Sequence, residues 1–254
     1  WLTQSCPTGH GSVGCPPGTL ANNFWPAFGN TLFFTLVTVL LETILGIGMA
    51  LVMAKDFHGR GLLRAAVLVP WAIPTAITAK LWAFLFSEQG IVNSIFHAHV
   101  AWQTDPWAAR FSIILADVWK TTPFMALLIL AGLQMIPKDL YEAARMDGAN
   151  AWQRFTRITL PLAKNSIIVA VLFRMLDALR MYDLPYIMVG PNPDSPTATL
   201  SQLVVAAIRQ DHVNAASALS TLIFLLIFLI ALCFVKSLGS KVAHQAEPVV
   251  AEEE

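Results

Sequence analysis

Charge is what this chain has least of. Asp, Glu, Lys and Arg make up 13% of its 254 residues, about half of the ~25% typical of a soluble domain. With 56% hydrophobic residues as well, the composition reads as a polytopic membrane protein. The formal net charge is zero, and no basic patch is interleaved with aromatics. That excludes the electrostatic footprint of a nucleic-acid binder. No G-x-x-x-x-G-K-[ST] stretch occurs, so this chain cannot hold nucleotide phosphates in a P-loop. The histidines lack H-E-x-x-H or similar spacing and intramembrane-protease signatures are missing; no catalytic constellation, metal site or bound cofactor is expected. Period-two alternation is also lacking, which excludes a membrane β-barrel. There are three cysteines. Cys6 and Cys15, in "SCPTGHGSVGCPP", are read either as a disulfide in an oxidising compartment or as two free thiols. Cys233 is read as a small apolar-facing residue.

What the chain does have is long apolar runs. Five of them, at 30–54, 62–86, 111–135, 164–186 and 215–235, reach the ~20 residues needed to cross a bilayer as helix. Lipid offers no backbone hydrogen bonds, so helices are the expected form. Lys55, Arg60, Arg64, Lys138, Arg145, Arg154, Arg157, Lys164, Lys236 and Lys241 fall in the segments 55–64, 136–164 and 235–254, while 1–29, 87–110 and 185–214 hold only Arg110 and Arg209. The positive-inside rule makes the first set cytoplasmic. The N-terminus then lies outside, yet the sequence opens at Trp1 with no signal peptide, and a sixth, preceding span is expected. The expected organisation is an extracytoplasmic segment at 1–29, a transmembrane domain at 30–238 with a cytoplasmic loop at 137–161, and a disordered tail at 239–254. Trp25, Trp82, Trp102 and Trp107 suit the aromatic belt at the membrane interfaces.

Two features depart from plain bilayer crossing. The second run contains "VPWAIPT", whose Pro70 and Pro74 each remove a backbone donor and kink a helix. Ionisable residues also fall inside the runs: Glu42, Lys80, Asp117, Lys120, Arg174, Asp177 and Arg180. At ~2.5–3.5 kcal/mol each at a helix centre, they should face the bundle interior or a cavity. Arg174, Asp177 and Arg180 are spaced to share one helix face, as are Asp117 with Lys120 or Thr121. Two readings stay open. One is a polar pathway for a hydroxyl-rich solute, with Trp71, Trp119 or Tyr182 stacking on a sugar ring. The other is internal ion pairing that fixes helix register.

Between the third and fourth runs lies "YEAARMDGANAWQRFTRITLP". Asp139 and Glu142 suggest a variant capping box that opens a short helix at Leu140. Gly148 suggests its C-cap, and Asn150 with Gln153 suggests a second helix running to Pro161. Ala143 and Ala144 leave a flat face, while Met146, Trp152 and Phe155 supply apolar anchors. Such a bent pair reads equally as a docking site for another protein or as an amphipathic pair lying on the membrane.

The same stretch resembles the EAA loop of permease subunits of bacterial ABC importers. The pattern E-A-A, then D-G-A, then F, I and L-P is met by Glu142, Ala143, Ala144, Asp147, Gly148, Ala149, Phe155, Ile158, Leu160 and Pro161. "AGLQMIPKDLYEAA" and "VPWAIPTAITAKLWAFLFSEQGIVN", with Gly90 and Asn93, are similar to the maltose-type carbohydrate branch. The resemblance spans roughly residues 28–238 and departs where that branch carries a Gly-Gly-Pro turn, here only Gly190–Pro191 in "MVGPNPDSPTATL".

This resemblance implies an all-α, type I importer permease fold in a bacterial inner membrane. It implies a non-catalytic subunit that moves a carbohydrate, such as trehalose or maltose, by alternating access. Two partner ATPase subunits would carry ATP and Mg, with a second permease subunit and an extracytoplasmic substrate-binding protein completing the assembly in membrane lipid. Glu142, Ala143, Ala144, Asp147, Gly148, Ala149 and Phe155 would couple to the ATPase, with Glu142 meeting one of its basic residues. Asp117, Lys120, Arg174 and Asp177, with Trp71, Trp119 and Tyr182, would be the candidates for the solute pathway. The alternatives are an importer for another polar solute, such as a polyol or glycerophosphodiester, and an ion-coupled secondary transporter.

Overall fold

The computed structural model describes residues 5–8, 11–14, 19–97 and 99–243. Strands β1 (Ser5–Thr8) and β2 (Gly11–Gly14) pair antiparallel. The other regular elements among the described residues are helical. The all-α expectation holds for the bundle, and the hairpin is a short addition ahead of the first helix, where the Gly-rich stretch has no apolar periodicity from which to build one. The pairing of Cys6 with Cys15 and the tail at 244–254 lie outside what is described. Cys233 is free and exposed.

Four helices are long and apolar enough to cross a membrane: α1 (Leu20–Ala54), α5 (Pro106–Gln134), the continuous helix Ala151–Ala178, and α11 (Val213–Ala243) over Val213–Lys236. The expected span at 62–86 is a bent pair instead. Its halves, α2 (Arg60–Ala72) and α3 (Thr75–Leu85), meet at 86°. Pro74 is the cause, because it holds the preceding Ile73 extended, at φ −73° and ψ 132°, where a helix cannot continue.

Two other boundaries differ from the hydropathy reading. α1 starts at Leu20 rather than 30 because buried Asn side chains in its first turns find partners. Asn23 Nδ2 donates to Asp194 Oδ1 at 2.6 Å and Asn30 Nδ2 to the Ala198 carbonyl at 3.0 Å. The fourth span ends at Ala178, and a separate short helix, α9 (Asp183–Met188), follows. Pro185 lacks the N–H that would bond the Met181 carbonyl, and that carbonyl instead accepts from Thr199 Oγ1 at 2.8 Å. Two further helices, α4 (Ile91–Phe96) and α10 (Leu200–Arg209), are apolar but, at 6 and 10 residues, too short to cross a membrane.

Small residues set the packing, as expected where lipid supplies no drive for helix association. At Gly46 an added Cβ would lie 3.1 Å from Met125 Cβ, so α1 and α5 approach closely over a core of Ala50, Met53, Met125, Ala126 and Ile129. Gly132 of α5 lies directly against Ser166 of the Ala151–Ala178 helix. The two ends of the bundle separate the charged segments as the positive-inside rule anticipates. At one end Lys138 Nζ bonds Asp56 Oδ2 at 2.9 Å, and Arg60 pairs with the same carboxylate. At the other, Arg110 Nη2 donates to Asn30 Oδ1 at 3.1 Å and to the Pro196 carbonyl at 3.0 Å.

Candidate functional site

The bent pair in the 137–161 loop consists of α6 (Lys138–Met146) and α7 (Ala151–Arg154). α6 begins two residues before the expected start at Leu140. Pro137 occupies the N-cap with no side-chain bond, and Asp139 sits in the first turn, where a carboxylate favours the helix dipole. Gly148 turns the chain at φ +78°, a left-handed conformation that costs a non-glycine residue ~1–2 kcal/mol. Asn150 then caps α7. Its side chain accepts from the Gln153 amide and the Gln153 side chain accepts from the Asn150 amide, both at 2.8 Å.

Met146 and Trp152 are 88% and 71% exposed, so the apolar anchors project outward, and the Trp152 ring lies tilted against Phe155 at 5.7 Å between ring centres. Glu142, Ala143, Asp147 and Gly148 are exposed, and Ala144, Ala149 and Phe155 half-buried. A concavity of about 410 Å³ runs along Ala144, Asp147, Gly148 and Ala149 to Arg154 and Ile158. Glu142 faces a second cavity, shared with Arg145 and Lys138.

The second helix of the loop does not stop at Pro161, as the sequence suggested. It continues without interruption through Ala178. A π-helical turn at Phe155–Thr159 makes this possible: the Leu160 amide donates to the Phe155 carbonyl, five residues back. The wider turn accommodates Pro161 in the first turn of α8 (Leu160–Ala178), where its missing N–H is not needed. Loop and span therefore form one rod, with Trp152 near one end and Arg174 near the other.

Arg174 is the hub of a buried ionic cluster. Its Nε and Nη2 grip Glu42 of α1 at 2.5 and 3.1 Å, Nη2 also pairs with Asp117 of α5, and Nη1 reaches Asp177 at 3.1 Å. Thr121 Oγ1 donates to Glu42 Oε1 at 2.5 Å. Arg174 and Glu42 are 2% and 0% exposed. This forked geometry suits a guanidinium and not an ammonium. Glu42 was visible as an intramembrane charge, yet nothing in the sequence linked it to a residue 132 positions away. Asp177 and Arg180 do not share Arg174's buried face; they sit 63% and 66% exposed at the rim, Arg180 beyond the end of α8.

The other candidates fall elsewhere. Lys120 turns away from Asp117's partners and donates to the carbonyls of Ile73 at 2.5 Å and Trp71 at 3.3 Å. Those are the groups that Pro74 leaves without an intrahelical donor, so Lys120 caps the broken end of α2. Trp71 stacks on Phe124 at 5.6 Å and Trp119 meets Trp82 edge-on at 5.8 Å; both indoles remain partly exposed, at 48% and 37%. Tyr182 stacks on Tyr186 at 4.9 Å, whose other neighbour is Arg209. In the outer loop, Asn93 accepts from Trp102 Nε1 at 2.7 Å and donates to the Glu88 and Val100 carbonyls. Asn93 and Trp102 thus brace that loop.

Residues 42–244 match the family model described as "Binding-protein-dependent transport system inner membrane component". The chain is 44% identical over 221 residues to the trehalose/maltose transport system permease protein MalF of Thermococcus litoralis, covering 85% of this chain and 75% of that one. It is 42% identical over 186 residues to the sulfoquinovosyl glycerol transport system permease protein SmoG of Agrobacterium fabrum, covering 71% and 60%. Its fold superposes with a TM-score of 0.78 and 26% identity on the crystal structure of a bacterial ABC transporter involved in the import of the acidic polysaccharide alginate, covering 86% of this chain and 79% of that one.

Proposed function

The chain belongs to the family of binding-protein-dependent transport system inner membrane components, and from that premise we propose that it is the subunit through which a carbohydrate crosses the membrane, powered by ATP hydrolysed on separate ATPase subunits. A disaccharide of the trehalose or maltose type is the solute, in keeping with the 44% identity to a trehalose/maltose permease. A second reading, a glycosyl-glycerol solute, is favoured by the 42% identity to a sulfoquinovosyl glycerol permease.

The observation that carries the mechanism is the single rod from the cytoplasmic loop to the buried cluster. Ala143, Ala144, Asp147, Gly148 and Ala149 form the flat, concave side of the loop on which an ATPase surface seats, with Met146, Trp152 and Phe155 as anchors. Glu142 takes a basic residue of that partner. Movement of the partner tilts α6 and α7, and the π turn at Phe155–Thr159 passes the tilt into α8. Arg174, clamped on Glu42 and Asp117, then draws α1 and α5 along. Arg174, Asp117, Asp177 and Lys120 serve helix register in this account. The half-exposed indoles of Trp71 and Trp119, with Tyr182, are the faces on which a sugar ring stacks. A second permease subunit completes the pathway, and an extracytoplasmic binding protein delivers the solute to it.

The test is uptake of radiolabelled trehalose and maltose into proteoliposomes holding the full assembly. Gly148→Pro, which cannot adopt φ +78°, should abolish uptake while the ATPase subunits still hydrolyse ATP. Uptake at the wild-type rate by that variant would end the proposal.

A further inference from the structure

We propose that the cavity between the bundle end and α6 is a binding site for a phosphate-bearing anion, and that its occupancy fastens α6 to the bundle. The cavity, about 930 Å³, is lined by Lys55, Arg60, Arg64, Lys138 and Arg145, against Asp56 and Glu142 as its carboxylates. The cations come from three places in the chain: the α1–α2 link, the first turns of α2, and α6. Asp56 is already engaged by Lys138 and Arg60, whose hydrogen bond and charges hold its carboxyl below the ordinary range. Lys55 and Arg145 make no ion pair among the described residues.

A second observation points to a ligand. Arg64 spends Nη2 on the Met53 carbonyl at 2.7 Å, yet its Nε is buried with no acceptor, and a buried donor left so costs ~1–3 kcal/mol. α2 also opens at Gly59 with no side-chain cap, so its positive end adds to the field in the cavity. An excess of three cations, an unmet guanidinium donor and a helix N-terminus together suit a phosphate mono- or diester. The first would come from a soluble metabolite, the second from an anionic lipid headgroup at the cytoplasmic surface. Because α6 supplies Lys138, Tyr141, Glu142 and Arg145 to the wall, the bound anion would restrain the loop that the proposed function makes the coupling element; only this consequence rests on that reading.

Binding is measured directly, apart from transport, on the complete assembly in nanodiscs. One arm titrates glucose 6-phosphate and inorganic phosphate in neutral phosphatidylcholine discs. The other counts co-purified phosphatidylglycerol by native mass spectrometry after exchange from a mixed-lipid membrane. The double variant Lys55→Gln/Arg145→Gln should weaken whichever ligand binds by about tenfold to thirtyfold, near fivefold per basic residue removed. Arg64→Gln should weaken it independently, and Arg209→Gln, far from the cavity, should leave it unchanged. Saturable binding of a soluble phosphate that these variants weaken identifies a metabolite; variant-sensitive retention of phosphatidylglycerol identifies a lipid. Either outcome supports the site. No saturable binding in either arm, or binding that the cavity variants do not change, overturns it, whatever uptake shows.

Discussion

Replacing Arg174 by Met should be the most damaging single change in the membrane region. The substitution keeps the side chain's bulk and removes the one cation shared by Glu42 and Asp117, which are 0% and 5% exposed. Breaking a buried ion pair from one side typically costs ~3–5 kcal/mol, because the partner charge stays buried and unmatched. At ~2–4 °C per kcal/mol for a protein of this size, the midpoint of thermal unfolding in detergent should fall by about 6–20 °C. Arg174→Lys should recover only part of this, since an ammonium cannot hold both Glu42 oxygens as the guanidinium does at 2.5 and 3.1 Å. Glu42→Gln should cost less than Arg174→Met, because it leaves the arginine with Asp117. Removing the whole cluster, as Glu42→Leu/Asp117→Leu/Arg174→Met, should restore much of the midpoint, since a fully apolar replacement leaves no orphaned charge. Fluorescence-detected size-exclusion after heating reads all four. Wild-type melting in Arg174→Met, or a triple variant worse than that single one, would refute the assignment.

Lys120→Met should expose the Trp71 and Ile73 carbonyls and lower stability by ~1.5–3 kcal/mol, visible in the same melting assay and absent from a conservative Lys120→Arg change if the new side chain reaches both. Gly132→Ala should also destabilise, because its Cβ would overlap Ser166, at ~1–3 kcal/mol, while Gly29→Ala, which meets nothing within 4 Å, should not. The Asp56 carboxyl is held low, first by the Lys138 hydrogen bond. Its depressed value means that the contribution to stability is present above the unfolded pKa and is lost only as pH falls through the lower folded value. The melting difference between wild type and Asp56→Asn should therefore persist through mildly acidic pH; a difference that disappears within the ordinary carboxylate range would contradict the pairing.

The features legible in the sequence were local ones. Gly148 and the Asn150–Gln153 pair announced the bend because both act through neighbours within four residues. The long apolar runs announced α1, α5 and α11 because lipid demands them. Pro74 signalled a break, but neither the 86° angle between the halves nor the capping of the freed carbonyls by Lys120, 47 residues from Ile73, can be read from local sequence. The extension of α1 to Leu20 was hidden because its buried asparagines look like loop residues until Asp194 and Ala198 are placed beside them. Arg174, Asp177 and Arg180 looked like one stripe because spacing alone cannot show that α8 ends at Ala178. The continuity of loop and span was obscured by Pro161, which only the π turn makes compatible with helix.

The claim on which the mechanism depends is that the bent pair at 138–154 touches the ATPase. Disulfide trapping in the reconstituted assembly tests it most directly, with Met146→Cys, 88% exposed at the end of α6, and cysteines scanned across the ATPase surface. The account predicts that Met146→Cys traps an ATPase subunit and that uptake stops until the bond is reduced, while Phe228→Cys on α11 traps none. A protein that shows no such cross-link, or that keeps importing solute while locked, would contradict it.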